Sequence, residues 1–62
     1  MPILSLEGPP IADIEVRRTL VTELTAAAAK AYGMPKEKII VLIHENTPQQ
    51  VAVGGTLIAD RK

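Results

Sequence analysis

The chain has 62 residues and a mass of 6.6 kDa, so we expect one small domain, residues 1–62. A chain this short buries only about 60% of the surface that its unfolded form exposes, and it needs disulfides, a metal ion or assembly for stability. The sequence has no Cys and a single His, which leaves assembly and predicts no bound metal. Seven basic residues balance seven acidic ones and only one residue is aromatic, so nucleic acid is not an expected partner.

Neither a membrane span nor an export signal is visible in the sequence. The longest apolar runs fall far short of the ~20 residues that cross a bilayer. The first residues also lack the basic segment and the apolar stretch of a signal peptide. We therefore expect a soluble, cytoplasmic protein with no membrane partner.

The first two predicted elements are a strand and a helix. Residues 2–6 are mostly apolar, as in a short strand, and residues 7–10 end it with Gly and Pro. Asp13 is a good helix N-cap, Gly33 can take the left-handed conformation that ends a helix, and Pro35 prevents continuation. These signals predict a helix over residues 14–32.

One face of that helix is apolar. At about 100° per residue, this face holds Val16, Leu20, Val21, Leu24, Ala27, Ala28 and Ala31. The opposite face holds Thr19, Thr22, Glu23 and Lys30. The alanines at residues 26–29 predict close packing against a sheet or another helix.

A second strand is predicted after the helix. Residues 39–43 are consecutive apolar residues rich in β-branching, a pattern typical of a strand covered on both faces. A strand, a helix and a strand form a βαβ unit, whose right-handed crossover makes the strands parallel and puts the helix on one sheet face. One helix leaves the other face uncovered, so we predict an obligate oligomer.

The last predicted element is a hairpin. After the polar residues 46–50, residues 51–58 read as two short β arms around Gly54 and Gly55, a dipeptide typical of primed turns. The expected fold class is therefore α/β: a β-α-β protomer with parallel strands and a small C-terminal β-hairpin, its sheet completed by oligomerisation.

Few side chains could carry catalysis. The chain has one Ser, one His and one Tyr, which makes a Ser/His/Asp or Cys/His arrangement hard to build in one subunit. The Gly54-Gly55 pair lacks the Lys and Ser/Thr of a phosphate loop, so we expect no nucleotide at this turn.

Pro2 is the remaining candidate for catalysis. Once Met1 is removed, its ring nitrogen is a secondary amine, and burial in an apolar pocket would lower the pKa of that amine towards neutrality. Such an amine can act as a general base. While Met1 is present the nitrogen belongs to an amide with no basic lone pair, so the chemistry depends on cleavage.

The order of these features resembles the 4-oxalocrotonate tautomerase family. The likeness covers nearly the whole chain: Met1-Pro2 opening a strand, Leu6-Glu7-Gly8 at its end, the long helix, the strand running into Glu45, and Val53-Gly54-Gly55 near the C-terminus. The resemblance implies a β-α-β protomer, a four-stranded sheet shared by two protomers, and a homo-hexamer built as a trimer of dimers.

The resemblance also implies a reaction. Pro2 would take a proton from a 2-hydroxy-dienoic acid such as 2-hydroxymuconate and return it at another position, which is a keto–enol tautomerisation. Cationic side chains would hold the substrate carboxylates and stabilise the dienolate charge. No cofactor is expected.

Three positions depart from the family pattern. Pro9 and Pro10 stand where the family has an arginine, Ile40 stands at its strand arginine, and Val51 replaces an aromatic residue. Each lost contact to a carboxylate would weaken binding by about 1.5–3 kcal/mol. The changes therefore affect recognition of a dicarboxylate more than proton transfer by Pro2. We expect an apolar pocket formed by Ile40, Val51 and neighbouring subunits.

Other polar side chains are candidates for substrate binding. Arg17 lies within the apolar helix face, where its head either pairs with an acid at a subunit interface or binds substrate. Arg61 either reaches a neighbouring subunit's pocket or is a solvated tail. His44 shares a strand face with Ile40 and is either a hydrogen-bonded structural residue or a substrate ligand. Glu45 is expected to pair with a Lys or Arg.

The sequence thus predicts a homo-oligomeric isomerase that acts on a small molecule, with Pro2 as the base. Hydration or dehalogenation of an unsaturated acid is a related alternative, because a protonated Pro2 can serve as an acid. The alternative from another class is a non-catalytic oligomer that keeps the fold for packing or ligand binding.

Overall fold

A computed structural model describes residues 1–61 as a β-α-β unit followed by a small hairpin. The elements are strand β1 (Ile3–Gly8), helix α1 (Ile14–Tyr32), strand β2 (Ile40–Glu45) and strands β3 (Ala52–Val53) and β4 (Thr56–Leu57). Short 3-10 turns occupy Lys36–Lys38 and Ile58–Asp60. The predicted α/β class with parallel strands and a C-terminal hairpin is confirmed. Among the described residues, no helix has the length and hydropathy needed to cross a membrane.

Strands β1 and β2 are parallel, and they extend beyond the predicted ends. Ile3 lies opposite Ile40, and the register continues to Gly8 opposite Glu45. The prediction that the strands end at residues 6 and 43 was therefore wrong. The Asn46 N–H still donates to the Gly8 carbonyl at 2.8 Å, because backbone groups can pair whatever their side chains are.

Helix α1 has the predicted bounds, residues 14–32. The Asp13 side chain accepts a hydrogen bond from the Glu15 N–H at 2.9 Å, which satisfies one of the free donors of the first turn. Gly33 ends the helix with φ 64°, in the left-handed region that suits glycine.

The packed face of α1 differs from the predicted one. Val16 is 54% exposed, and Ala27 and Ala31 are also exposed in the protomer. Half-buried residues outside the predicted set are Arg17, Thr25 and Ala29. The packed face is thus rotated by roughly 60° about the helix axis, at 3.6 residues per turn. The prediction missed this because it counted only apolar residues.

The protomer is thin and has little core. Its accessible surface is 4942 Å², against roughly 3900 Å² expected for a compact protein of this mass. The radius of gyration is 15.0 Å, where about 10.6 Å is typical of this length. Within residues 1–61, Ala28 is the only buried hydrophobic residue, and it is still 7% exposed. Helix α1 covers one face of the sheet and leaves the other open.

The hairpin forms as predicted, with shorter arms. Gly54 and Gly55 have φ 62° and 85°, as a type I′ turn requires, and they join antiparallel strands of two residues each. The Ile58 N–H donates to the Val51 carbonyl at 2.8 Å, which closes the base of the hairpin.

Candidate active site

Pro2 lies at the edge of the sheet where both parallel strands begin. Its carbonyl oxygen accepts a hydrogen bond from the Ile40 N–H at 3.0 Å, which holds Pro2 beside the first residue of β2. Pro2 is half-buried, whereas Met1 is 81% exposed. Met1 therefore projects into solvent, and its removal would expose the ring nitrogen at this edge.

The sheet surface next to Pro2 is apolar. Ile3 and Ile40 face each other across the strands, and Leu42 follows on the same face. Ile3 is 57% and Leu42 43% exposed in the protomer. Apolar surroundings disfavour the charged form of an amine, which suits a proton acceptor. Ile40 is the predicted pocket residue that the structure brings to Pro2.

His44 lies on the same open face as Ile40, as predicted from strand alternation. It stands opposite Glu7 in the parallel register, and both residues are exposed. His44 is four residues beyond Ile40, a separation of about 13 Å along an extended strand. Within one protomer His44 is therefore a neighbour of Glu7 and not of Pro2.

An open cleft of about 700 Å³ lies at the opposite edge of the sheet, where β1 and β2 end. It is lined by Glu7, Gly8, Pro9, Asn46, Thr47, Pro48, Gln50, Val51, Ala52 and Ile58. Pro2 and Gly8 are about six residues apart in extended chain, or about 20 Å. One protomer therefore does not bring Val51 and Ile40 into a single pocket.

Arg61 is exposed and belongs to the cleft end of the molecule. Its backbone N–H donates to the carbonyl of Ile58, which lines the cleft, at 3.1 Å. Arg61 is thus remote from the Pro2 of its own chain.

Arg17 pairs with an acid of its own chain, and its predicted place at a subunit interface or against substrate stays a prediction. Its Nη2 donates to both carboxylate oxygens of Glu45 at 2.9 Å and to the Ile11 carbonyl at 2.6 Å. The physical reason is topological: β2 ends and α1 begins at the same edge of the sheet. The predicted pairing of Glu45 with a basic residue is confirmed.

The role of Ile11 was not predicted. Glu45 Oε2 also accepts a hydrogen bond from the Ile11 N–H at 2.6 Å, so Arg17 and Glu45 together hold the loop that joins β1 to α1. Pro9 in this loop lines the cleft. A signal was present, because Arg17 and Glu45 are opposite charges that each occur on an otherwise apolar face.

The other ion pair of the described chain is peripheral. Arg18 donates to the Glu15 carboxylate on the helix surface, where both side chains are well exposed. Residues 1–61 contain no group of three His, Asp or Glu side chains that could hold a metal ion.

Comparison with known proteins identifies the family. The sequence model of a family described as tautomerase enzymes matches residues 2–61, a match that begins at Pro2. The chain belongs to the tautomerase family. A probable tautomerase from Bacillus cereus is 36% identical to this family member over 47 residues, which are 76% of this chain and 77% of the relative.

Solved structures of other proteins have the same fold. The crystal structure of DmpI from Archaeoglobus fulgidus has a TM-score of 0.83 and 46% identity, with 95% of this family member and 100% of DmpI covered. A heterohexameric 4-oxalocrotonate tautomerase from Chloroflexus aurantiacus has a TM-score of 0.84 and 29% identity, with 100% of both chains covered. The resemblance to 4-oxalocrotonate tautomerases is confirmed.

Proposed function

We propose that this tautomerase family member is an isomerase of 2-hydroxy-dienoic acids such as 2-hydroxymuconate, with Pro2 as general base after removal of Met1. One observation carries the proposal: the family match begins at Pro2, a half-buried residue held by Ile40 beside an apolar surface. A secondary amine at such a position has the basicity and the surroundings that proton transfer near neutral pH requires.

The proposed reaction is an internal proton transfer. The neutral Pro2 nitrogen removes the proton of the substrate's 2-hydroxyl group, and the electrons of that O–H bond form the C2 carbonyl. The displaced double-bond electrons take a proton at C3 or C5 from the protonated ring nitrogen. The nitrogen returns to its neutral form, so no atom or electron is gained or lost.

The proposed active form is a homo-oligomer, a hexamer built as a trimer of dimers. The uncovered sheet face supports assembly, as does the separation of about 20 Å between Pro2 and the cleft. Assembly would let Val51 and Arg61 of one copy complete the pocket at Pro2 of another. The heterohexameric state of the Chloroflexus tautomerase supports a total of six subunits. We also propose that residues 1–62 act as one domain in the cytoplasm.

Substitution of Pro2 tests the proposal. Pro2→Ala, in protein shown by mass spectrometry to lack Met1, replaces the ring nitrogen with a primary amine and should lower kcat for 2-hydroxymuconate by up to about 10²- to 10⁴-fold, the usual contribution of a general base. Thr22→Ala is the control, because Thr22 is exposed on the side of α1 away from the sheet and should leave kcat unchanged. Undiminished turnover by Pro2→Ala would reject Pro2 as the base.

A non-catalytic oligomer is the second candidate function. The presence of Ile40 and of Pro9-Pro10 at the family's arginine positions favours it, because these side chains cannot hold a carboxylate. It predicts no turnover of 2-hydroxymuconate by the Met1-free wild-type protein, with assembly intact in a native mass spectrum.

A further inference from the structure

A lysine lies at the same edge of the sheet as Pro2. Ile3 is opposite Ile40, and Ile39 is also extended, with φ −96° and ψ 130°, so the register continues to Pro2 opposite Ile39. The next residue back is Lys38. Lys38 is the last residue of the 3-10 turn, and the chain passes directly from it into Ile39, which lies beside Pro2.

The other cations of the described chain are less well placed. Arg17 and Arg18 lie near the start of α1, at the far edge, and both are paired with carboxylates. Arg61 follows the cleft at that same edge, so it reaches a Pro2 site only from another copy of the chain. Lys30 is exposed on the helix side away from the sheet, and Lys36 begins the 3-10 turn, two residues further from β2 than Lys38.

Lys38 is available for a ligand. It is exposed, and it forms no ion pair with an acid in residues 1–61. Its ammonium sits on a flexible four-carbon stem that can span the distance to the Pro2 ring. A carboxylate bound there would be next to the ring nitrogen, while Ile3 and Ile40 contact the apolar part of the same molecule.

We propose that Lys38 binds the C1 carboxylate of the substrate at the Pro2 site and so takes the place of the missing family arginines. This inference rests on the proposed function. Lys38 stabilises the negative charge next to the reacting enol, and it orients the 2-hydroxyl group towards the Pro2 nitrogen.

Kinetics with a monocarboxylate enol test this role. For phenylenolpyruvate, Lys38→Ala should raise KM by about 10- to 100-fold, the effect of losing one charge-assisted contact, with a smaller change in kcat. Lys38→Arg should restore most of the affinity, and Lys36→Ala should leave KM within about twofold. An unchanged KM in Lys38→Ala would overturn the proposal.

Binding of trans-cinnamate separates this inference from the proposed function. This carboxylate has no enol to tautomerise, so calorimetric titration reports binding alone. The Met1-free wild-type protein and Pro2→Ala should both bind it, and Lys38→Ala should bind at least tenfold more weakly. If Pro2→Ala keeps full turnover, the proposed function fails, yet selective loss of cinnamate binding in Lys38→Ala still supports the lysine. Equal binding by Lys38→Ala, or no binding by the wild type in the millimolar range, overturns the role of Lys38.

Discussion

Arg17 and Glu45 show how two charged residues hold the loop between β1 and α1 beside the cleft. Their side chains are 36% and 25% exposed, so the pair is partly shielded from water. Glu45 accepts hydrogen bonds from both Arg17 and the Ile11 backbone, and it therefore ties together the end of β2, the start of α1 and the loop between β1 and α1. The surface pair of Arg18 and Glu15 has no such third partner among the described residues.

Two substitutions of Glu45 should separate what its charge and its hydrogen bonds each contribute to the free energy of unfolding. Glu45→Gln keeps an oxygen acceptor for the Ile11 N–H, so we expect the free energy of unfolding to fall by about 1 kcal/mol. Glu45→Ala leaves both Arg17 and the Ile11 N–H without this acceptor and should cost about 2–3 kcal/mol. Urea unfolding at one fixed protomer concentration measures both effects, since assembly adds to stability.

The exposed pair provides the control for this experiment. Glu15→Gln removes the partner of Arg18 on the helix surface and should change the free energy of unfolding by at most about 0.5 kcal/mol. Equal effects of Glu15→Gln and Glu45→Gln would show that Glu45 is no more than a surface charge.

Among the elements, the hairpin depends on its two glycines. Gly54 and Gly55 both have positive φ, and a Cβ at Gly54 would meet no atom within 4 Å. A side chain at Gly54 therefore destabilises the fold through backbone strain and not through a clash. For Ala in the left-handed region this strain is about 1–2 kcal/mol. Gly54→Ala should lower Tm by several degrees, measured at one protomer concentration.

Asparagine is the matched substitution at the same position. Asn tolerates the left-handed region and is favoured before Gly in type I′ turns, so Gly54→Asn should keep Tm close to the wild-type value. If Gly54→Ala and Gly54→Asn lowered Tm equally, the loss would come from side-chain volume and not from backbone conformation.

Local signals made the helix and the hairpin predictable. The helix caps are Asp13 and Gly33, and the hairpin turn is Gly54-Gly55. Each depends only on neighbouring residues of the chain, and the structure agrees with each prediction. The rotation of α1 was missed because residues that are not strongly apolar, Arg17 and Thr25 among them, share the packed face, and the partner of Arg17 lies 28 positions along the chain. The strand ends likewise depend on pairing between distant segments.

The site was predictable only in part, for the same reason. Pro2 and Ile40 are adjacent because β1 and β2 pair in parallel, which the sequence predicted. His44 shares the open face with Ile40, as its position in β2 requires. The cleft at the other edge was not foreseen, because it forms where residues 46–50 meet the end of β1. The apolar strand predicts assembly, but which residues of other copies would reach Pro2 does not follow from local sequence.

At the scale of the whole molecule, the isolated protomer is thin and buries little apolar surface. It is 13 Å thick along its shortest axis, and the sheet face that carries Ile3 and Leu42 has no cover within residues 1–61. Burial of an exposed leucine contributes about 1.5–3 kcal/mol, so a second copy bound to this face would stabilise the fold. Assembly and folding should therefore be coupled.

Leu42→Asp tests that coupling. Leu42 is 43% exposed in the protomer, so the substitution removes few contacts within one chain, but in an oligomer it would bury an unpaired carboxylate. Native mass spectrometry at micromolar concentration should show an oligomer for the wild type, and mainly monomer or unfolded chain for Leu42→Asp. Thr22→Asp adds the same charge on the exposed side of α1 and should stay assembled. A wild-type monomer, or an intact Leu42→Asp oligomer, would mean that the open sheet face is not the surface on which the copies assemble.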